Sequence, residues 1–170
     1  TEALRFFDEH YQFRAKQRGA TALTGDGKLI IYPSSGCETY KMAYNPSAVV
    51  AALQSVIAKL RQHGGLAAWD LDTALVNRIP EIPLREIQGE TCISPAVVWT
   101  RINNVESPQL YPVFPWRIYG LGRPDIQIAR NTYFMDDYVQ QMRSSRGWKQ
   151  DNIWAPLLGV THHAVLLCKE

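Results

Sequence analysis

The sequence predicts a mainly α-helical protein in which short extended strands and long loops connect the helices. Apolar residues recur every three or four positions over residues 2–16, 46–62 and 124–142, which is typical of amphipathic helices. Short apolar runs elsewhere are the right length for strands. Residues 103–122 hold three prolines and two glycines, which exclude a regular helix there.

The first half of the chain begins with a helix that a glycine ends, and an Asp-Gly turn then leads into a predicted strand at 28–32. Asn45 is expected to cap the second helix, with Pro46 as its first helical residue. Two glycines stop this helix near residue 63. A third helix is expected at 67–78.

The second half begins with strands, which are predicted at 84–87 and 91–100 on either side of a Gln-Gly turn. A long helix is expected at 124–142, after the proline-rich loop. Another helix follows at 148–158, and Thr161 is expected to cap a last helix.

Length and composition fit one domain over residues 1–170, since hydrophobic residues make up 46% and charged residues 20%. The net charge of +2 is too small to predict a nucleic-acid partner, and no apolar run approaches the roughly 20 residues of a membrane span. Three widely spaced cysteines predict neither a disulfide framework nor a zinc site, and no metal or cofactor is expected. No signal peptide is recognisable.

The segment from Tyr32 to Lys41 holds one acid, Glu38, among hydroxyls, a thiol and aromatic rings. A partly desolvated carboxyl keeps its proton nearer neutral pH, which makes Glu38 the candidate general acid. Tyr32 and Tyr40 would shape its loop. The alternative is a structural ion pair of Glu38 with Lys41 or Arg101.

Aromatic rings interleaved with planar polar side chains predict a carbohydrate site, because sugar rings stack on aromatic faces while polar groups bind hydroxyls. Beside the two tyrosines, the candidate sugar-binding residues are Arg101, Asn104, Glu106, Trp116, Trp148 and Gln150. Glu106 fits a hydroxyl contact, a catalytic base or a solvated loop acid. Trp116 and Trp148 also fit a hydrophobic core.

Three segments resemble, in order, the bacterial glycoside hydrolases of family 95, which are six-hairpin (α/α)6-barrel enzymes that include inverting α-L-fucosidases. Residues 32–38 resemble the Pro-Ser-x-Ser-Pro-Glu loop that carries their general acid. Residues 110–115 resemble their Leu-Tyr-x-Leu-Phe-Pro segment, and residues 147–159 resemble their Gly-Trp helix.

The resemblance implies a partial (α/α)6 toroid, a periplasmic or secreted location, and inverting hydrolysis of an oligo- or polysaccharide with Glu38 as general acid. Cys37 and Thr39 depart from the family's loop, and the family's sugar-binding histidines are missing, so fucose is not implied. The family's water-positioning asparagines and its base match nothing here, so the rest of a longer polypeptide would complete the site. A non-catalytic carbohydrate-binding or structural helical module is the alternative.

Overall fold

The computed structural model describes residues 2–19, 23–32, 42–63, 73–102, 106–143 and 151–160, and both helices and strands occur in this part of the chain. The α-helices are α1 (Glu2–Gln17), α2 (Ser47–Gln62), α3 (Thr73–Arg78), α4 (Ile126–Met135), α5 (Asp137–Arg143) and α6 (Asp151–Leu157). The strands are β1 (Met42–Pro46), β2 (Leu84–Ile87), β3 (Glu90–Ile93) and β4 (Ala96–Trp99). A short 3-10 helix covers Pro108–Leu110.

The four strands form two separate two-stranded antiparallel sheets. In one sheet β1 pairs with β4, with Met42 opposite Trp99 and an irregularity in register before Tyr44. In the other, β2 and β3 form a hairpin in which Arg85 lies opposite Cys92. Because β3 and β4 are consecutive in the chain, only Ser94 and Pro95 separate the two sheets.

The expected mainly α-helical partial toroid is wrong. About 48% of the described residues are helical and 15% are in strands, so this part of the chain is a mixed α/β structure. The physical reason is that the short apolar segments pair with one another, since β1 reaches β4 across more than 50 residues of chain. The local periodicity of a sequence cannot predict a pairing between segments that are so far apart in the chain.

The helix predictions at 2–16 and 46–62 are confirmed by α1 and α2, and the strand prediction at 84–87 is confirmed by β2. The predicted strand at 28–32 is wrong, because Leu29 makes only an isolated bridge there. The predicted cap is also wrong, because Asn45 and Pro46 belong to β1 and α2 begins one residue later.

Two predicted elements are each divided in two. The helix expected at 124–142 breaks at Asp136, which ends α4 and precedes α5. The strand expected at 91–100 breaks at Ser94 and Pro95, because proline cannot donate to a ladder. The predicted helix at 67–78 agrees with α3 where it is described, whereas 64–72 and the last helix from Thr161 lie outside the described residues.

The hydrophobic core joins the helices to the hairpin sheet. α4 packs on β3, and Thr132 Oγ1 accepts a hydrogen bond of 2.7 Å from the Ile93 amide. Ser47, at the start of α2, donates its amide to Pro95 O at 2.9 Å and its hydroxyl to Pro108 O at 3.2 Å. These contacts hold the corner between the two sheets against α2 and the 3-10 helix.

Candidate functional site

A groove of about 420 Å³ opens between the two sheets and the junction of α4 with α5. We call it the Trp99 groove. Its polar and aromatic side chains are Arg85, Trp99, Arg101, Asp136, Asp137 and Tyr138, and its remaining lining is apolar. A cavity with apolar walls and a few placed polar groups is the usual form of a small-ligand site.

Asp136 anchors the wall of the Trp99 groove. Its Oδ2 accepts from Arg85 Nη2 at 2.5 Å and from Gln109 Nε2 at 3.1 Å. Its Oδ1 accepts from the amides of Tyr138 at 2.9 Å and Val139 at 3.2 Å, which caps α5. These hydrogen bonds offset the cost of burying a charged carboxylate. They also join β2, the 3-10 helix and α5 at Asp136.

Trp99 contacts this network through Arg85, whose guanidinium carbon lies 5.3 Å from the centroid of the indole ring. The cation–π contact restrains the indole at the end of β4. Arg101 lies two residues further along and is exposed. The structure records no hydrogen bond or ion pair between the Arg101 guanidinium and any other described residue.

Of the predicted site residues that the structure describes, Arg101 alone lines the Trp99 groove. Trp116 is partly buried and packs against the hydrophobic core, and Glu106 is partly buried outside the groove lining. Tyr32 is partly buried, with Arg18 above its ring at 5.2 Å. The other predicted residues, Glu38, Tyr40, Asn104, Trp148 and Gln150, lie outside the described residues.

Asn45 joins the two ends of the segment that contains Glu38, because it forms two hydrogen bonds with Ile31. Its Oδ1 accepts the Ile31 amide at 2.6 Å, and its own amide donates to Ile31 O at 2.8 Å. Beyond this pair, the Tyr32 and Tyr44 rings meet edge to face at 6.3 Å. Asn45 adopts a φ of +48°, a left-handed conformation that asparagine tolerates better than most residues.

A second acid-centred cluster is buried at the start of α6. Asp151 Oδ1 accepts from Tyr133 Oη at 2.8 Å and from Arg143 Nε at 2.9 Å, and Arg143 lies 4.2 Å from the centroid of the Tyr133 ring. Burial and then the hydrogen bond to Asp151 raise the pKa of Tyr133. These groups bind one another inside the fold, so the cluster is a structural network rather than a candidate ligand site.

A second cavity, of about 470 Å³, lies beside α2 and α3 and has no aromatic lining. Two of its polar side chains already bind the chain, since Lys28 Nζ donates to Asn77 O at 2.9 Å and Gln54 Nε2 donates to Pro80 O at 3.0 Å, whereas Arg61 and Glu81 also line it. The Trp99 groove is the better candidate site because, unlike this cavity, it has an aromatic lining.

Cys92 lies directly opposite Arg85 in the β2–β3 hairpin and is fully buried. Burial, with the nearby Asp136 charge, raises the pKa of its thiol. A thiol that stays protonated at neutral pH is a poor nucleophile, so Cys92 is a packing residue.

The sequence interpretation missed every polar and aromatic groove residue except Arg101, namely Arg85, Trp99, Asp136, Asp137 and Tyr138. Asp136 did carry a local signal, since aspartate favours helix N-caps over helix interiors and the expected helix at 124–142 contained Asp136 followed by Asp137. Trp99 and Arg85 carried no such signal, because their proximity depends on how the sheets pack.

Among the described residues, no three His, Cys, Asp or Glu side chains are close enough to hold a metal ion, and no helix is long and apolar enough to cross a membrane. Comparisons of this chain with protein-family models, with curated proteins and with solved structures give no match.

Proposed function

We propose that this protein binds a carbohydrate in the Trp99 groove and hydrolyses its glycosidic bond with Glu38 as general acid. The observation that carries the proposal is the groove itself, which combines an indole ring with two guanidinium groups at one end of the β1–β4 sheet. The face of the indole that Arg85 does not cover provides a stacking surface for a sugar ring, and the Arg101 guanidinium donates to hydroxyl oxygens.

The connection of the chain supports Glu38 as the acid for this site. Glu38 precedes Met42 by four residues, and Met42 lies opposite Trp99 in the β1–β4 pair. Four residues span at most about 14 Å. This chain length allows Glu38 to act on a ligand in the groove.

In the proposed reaction, the protonated carboxyl of Glu38 gives its proton to the glycosidic oxygen as the bond to the anomeric carbon breaks, and water attacks that carbon. Inversion requires a second carboxylate about 6.5–9.5 Å from the first, with a water between them. Asp136 is a poor base, because neighbouring donors already bind both of its oxygens. The second carboxylate is therefore another acid of the polypeptide.

The test is a panel of defined oligosaccharides, with binding followed by calorimetry and hydrolysis followed by reducing-end release. Trp99→Leu should weaken binding about tenfold, whereas Trp116→Leu, a matched loss of an indole outside the groove, should change it less than twofold. Glu38→Gln should keep binding and lower hydrolysis about 10²- to 10⁴-fold.

Equal binding by wild type and Trp99→Leu would overturn the groove as the sugar site. Hydrolysis by Glu38→Gln at the wild-type rate would overturn Glu38 as the acid. Binding by the wild type with no hydrolysis of any panel member would favour the non-catalytic carbohydrate-binding module instead.

A further inference from the structure

The Trp99 groove presents cations more openly than anions. In the Arg85–Asp136 pair the arginine side chain is 31% exposed and the aspartate side chain is 1% exposed. The positive partner of this pair therefore reaches the groove and its solvent, while the negative partner is enclosed by protein.

Several hydrogen-bond donors bind the Asp136 carboxylate. Besides Arg85, it accepts from the Gln109 amide and from two backbone amides of α5. These neutral donors stabilise the carboxylate by hydrogen bonds, so Arg85 is not its sole compensation. The buried Nε of Arg85 makes no hydrogen bond with the described part of the chain.

The remaining charges of the groove are Arg101 and Asp137, which are both exposed. The formal sum of the four groups is zero, but one acid is enclosed while both guanidinium groups reach solvent. Because Asp136 neutralises Arg85 at 2.5 Å, the other charges that an incoming ligand meets are the exposed Arg101 guanidinium and the exposed Asp137 carboxylate. A guanidinium group matches the planar oxygens of a carboxylate with two parallel donors.

We infer that the Trp99 groove selects a sugar that carries a carboxylate, a uronic acid residue, with Arg101 as the principal carboxylate ligand and Trp99 beneath the sugar ring. This inference rests on the proposed carbohydrate function and names its substrate class. Arg85 keeps its ion pair with Asp136, so the sugar carboxylate would bind Arg101 rather than Arg85.

The experiment compares uronic oligosaccharides with their carboxyl-reduced counterparts, which keep the ring and lose the charge. The probes are trigalacturonate and a glucuronoxylo-oligosaccharide, each beside its reduced form. For the wild type, we expect the dissociation constant of at least one acid to be about ten- to a hundredfold lower than that of its reduced form at 50 mM NaCl. The preference should shrink at 500 mM NaCl, because salt screens exposed charges.

Arg101→Gln should remove the preference, because it should weaken binding of the acid more than binding of the reduced form. Arg123→Gln, which removes an exposed arginine outside the groove lining, should keep the preference. The inference is overturned if wild type binds acid and reduced forms equally, or if Arg101→Gln keeps the full preference. Either of these results would still show that the protein binds sugars, so the proposed carbohydrate function would stand. If the protein binds neither the uronic probes nor the oligosaccharide panel, both the carbohydrate function and the uronic acid preference are overturned.

Discussion

Asn45 is predicted to be a major contributor to stability, and its contribution can be worked out from two features. Its side chain accepts the amide of Ile31, a fully buried residue, and its backbone has a φ of +48°. Asn45→Ala leaves a buried N–H without a partner, which costs about 1–3 kcal/mol. Alanine also tolerates a left-handed backbone less well than asparagine, by about 1 kcal/mol. The free energy of unfolding should therefore fall by about 3 kcal/mol.

Asn45→Gly separates the two contributions. Glycine loses the hydrogen bond but adopts a positive φ freely, so the loss should be about 2 kcal/mol. Gln88→Ala is the matched control, because Gln88 also has a positive φ, of +53°, but is exposed in the β2–β3 turn. We expect it to change stability by less than about 0.5 kcal/mol.

Urea denaturation is the assay for these variants. With a slope of about 2 kcal/mol per molar urea, Asn45→Ala should lower the midpoint by about 1.5 M. A loss below about 1 kcal/mol would refute the role of the hydrogen bond. A larger loss for Asn45→Gly than for Asn45→Ala would refute the role of backbone conformation.

Three further predictions concern other parts of the fold. Gly159→Ala should destabilise more than Gly122→Ala when thermal unfolding is compared, because both have a positive φ but only the first added Cβ meets a neighbouring side chain, at 2.8 Å. Asp151→Ala should cost about 3 kcal/mol by removing the ion-pair partner of Arg143, whose side chain is only 10% exposed, and a double-mutant cycle in which Arg143→Met restores none of this loss would contradict the pairing. Burial raises the pKa of Tyr11 to about 12, above its usual value near 10, so it stabilises the fold below pH 10 and loses this contribution as pH rises to 12. Between pH 10 and 12, the free energy of unfolding should fall less steeply with pH in Tyr11→Phe than in the wild type. An equal slope in the two proteins would contradict the raised pKa of Tyr11.

The sequence predicted best where local pattern and final environment agree. The apolar stripe of α2 faces the core, with Val50, Leu53 and Ile57 buried, so its periodicity predicted the helix through Gln62. β1 could not be predicted in this way, since Met42–Pro46 has no alternating pattern and forms a strand by pairing with β4.

The same distinction between local pattern and long-range packing applies to the candidate site. Arg101 was predicted from its residue type and its neighbours in sequence. Arg85 and Asp136 were missed because they are 51 residues apart and become a pair only through packing of the β2–β3 hairpin beside α5. The break of the long predicted helix at Asp136 did have a local signal in the aspartate itself, but the contacts from Arg85 and Gln109 that hold its carboxylate come from distant parts of the chain.

The two-residue corner at Ser94 and Pro95 makes the Trp99 groove a seam between two sheets. Arg85 belongs to the hairpin sheet and Trp99 to the other. The width of the groove therefore depends on how the two sheets pack against each other. A molecule that contacts both side chains acts as a removable cross-link across that seam. Its binding free energy would add to the stability of the packing between the two sheets.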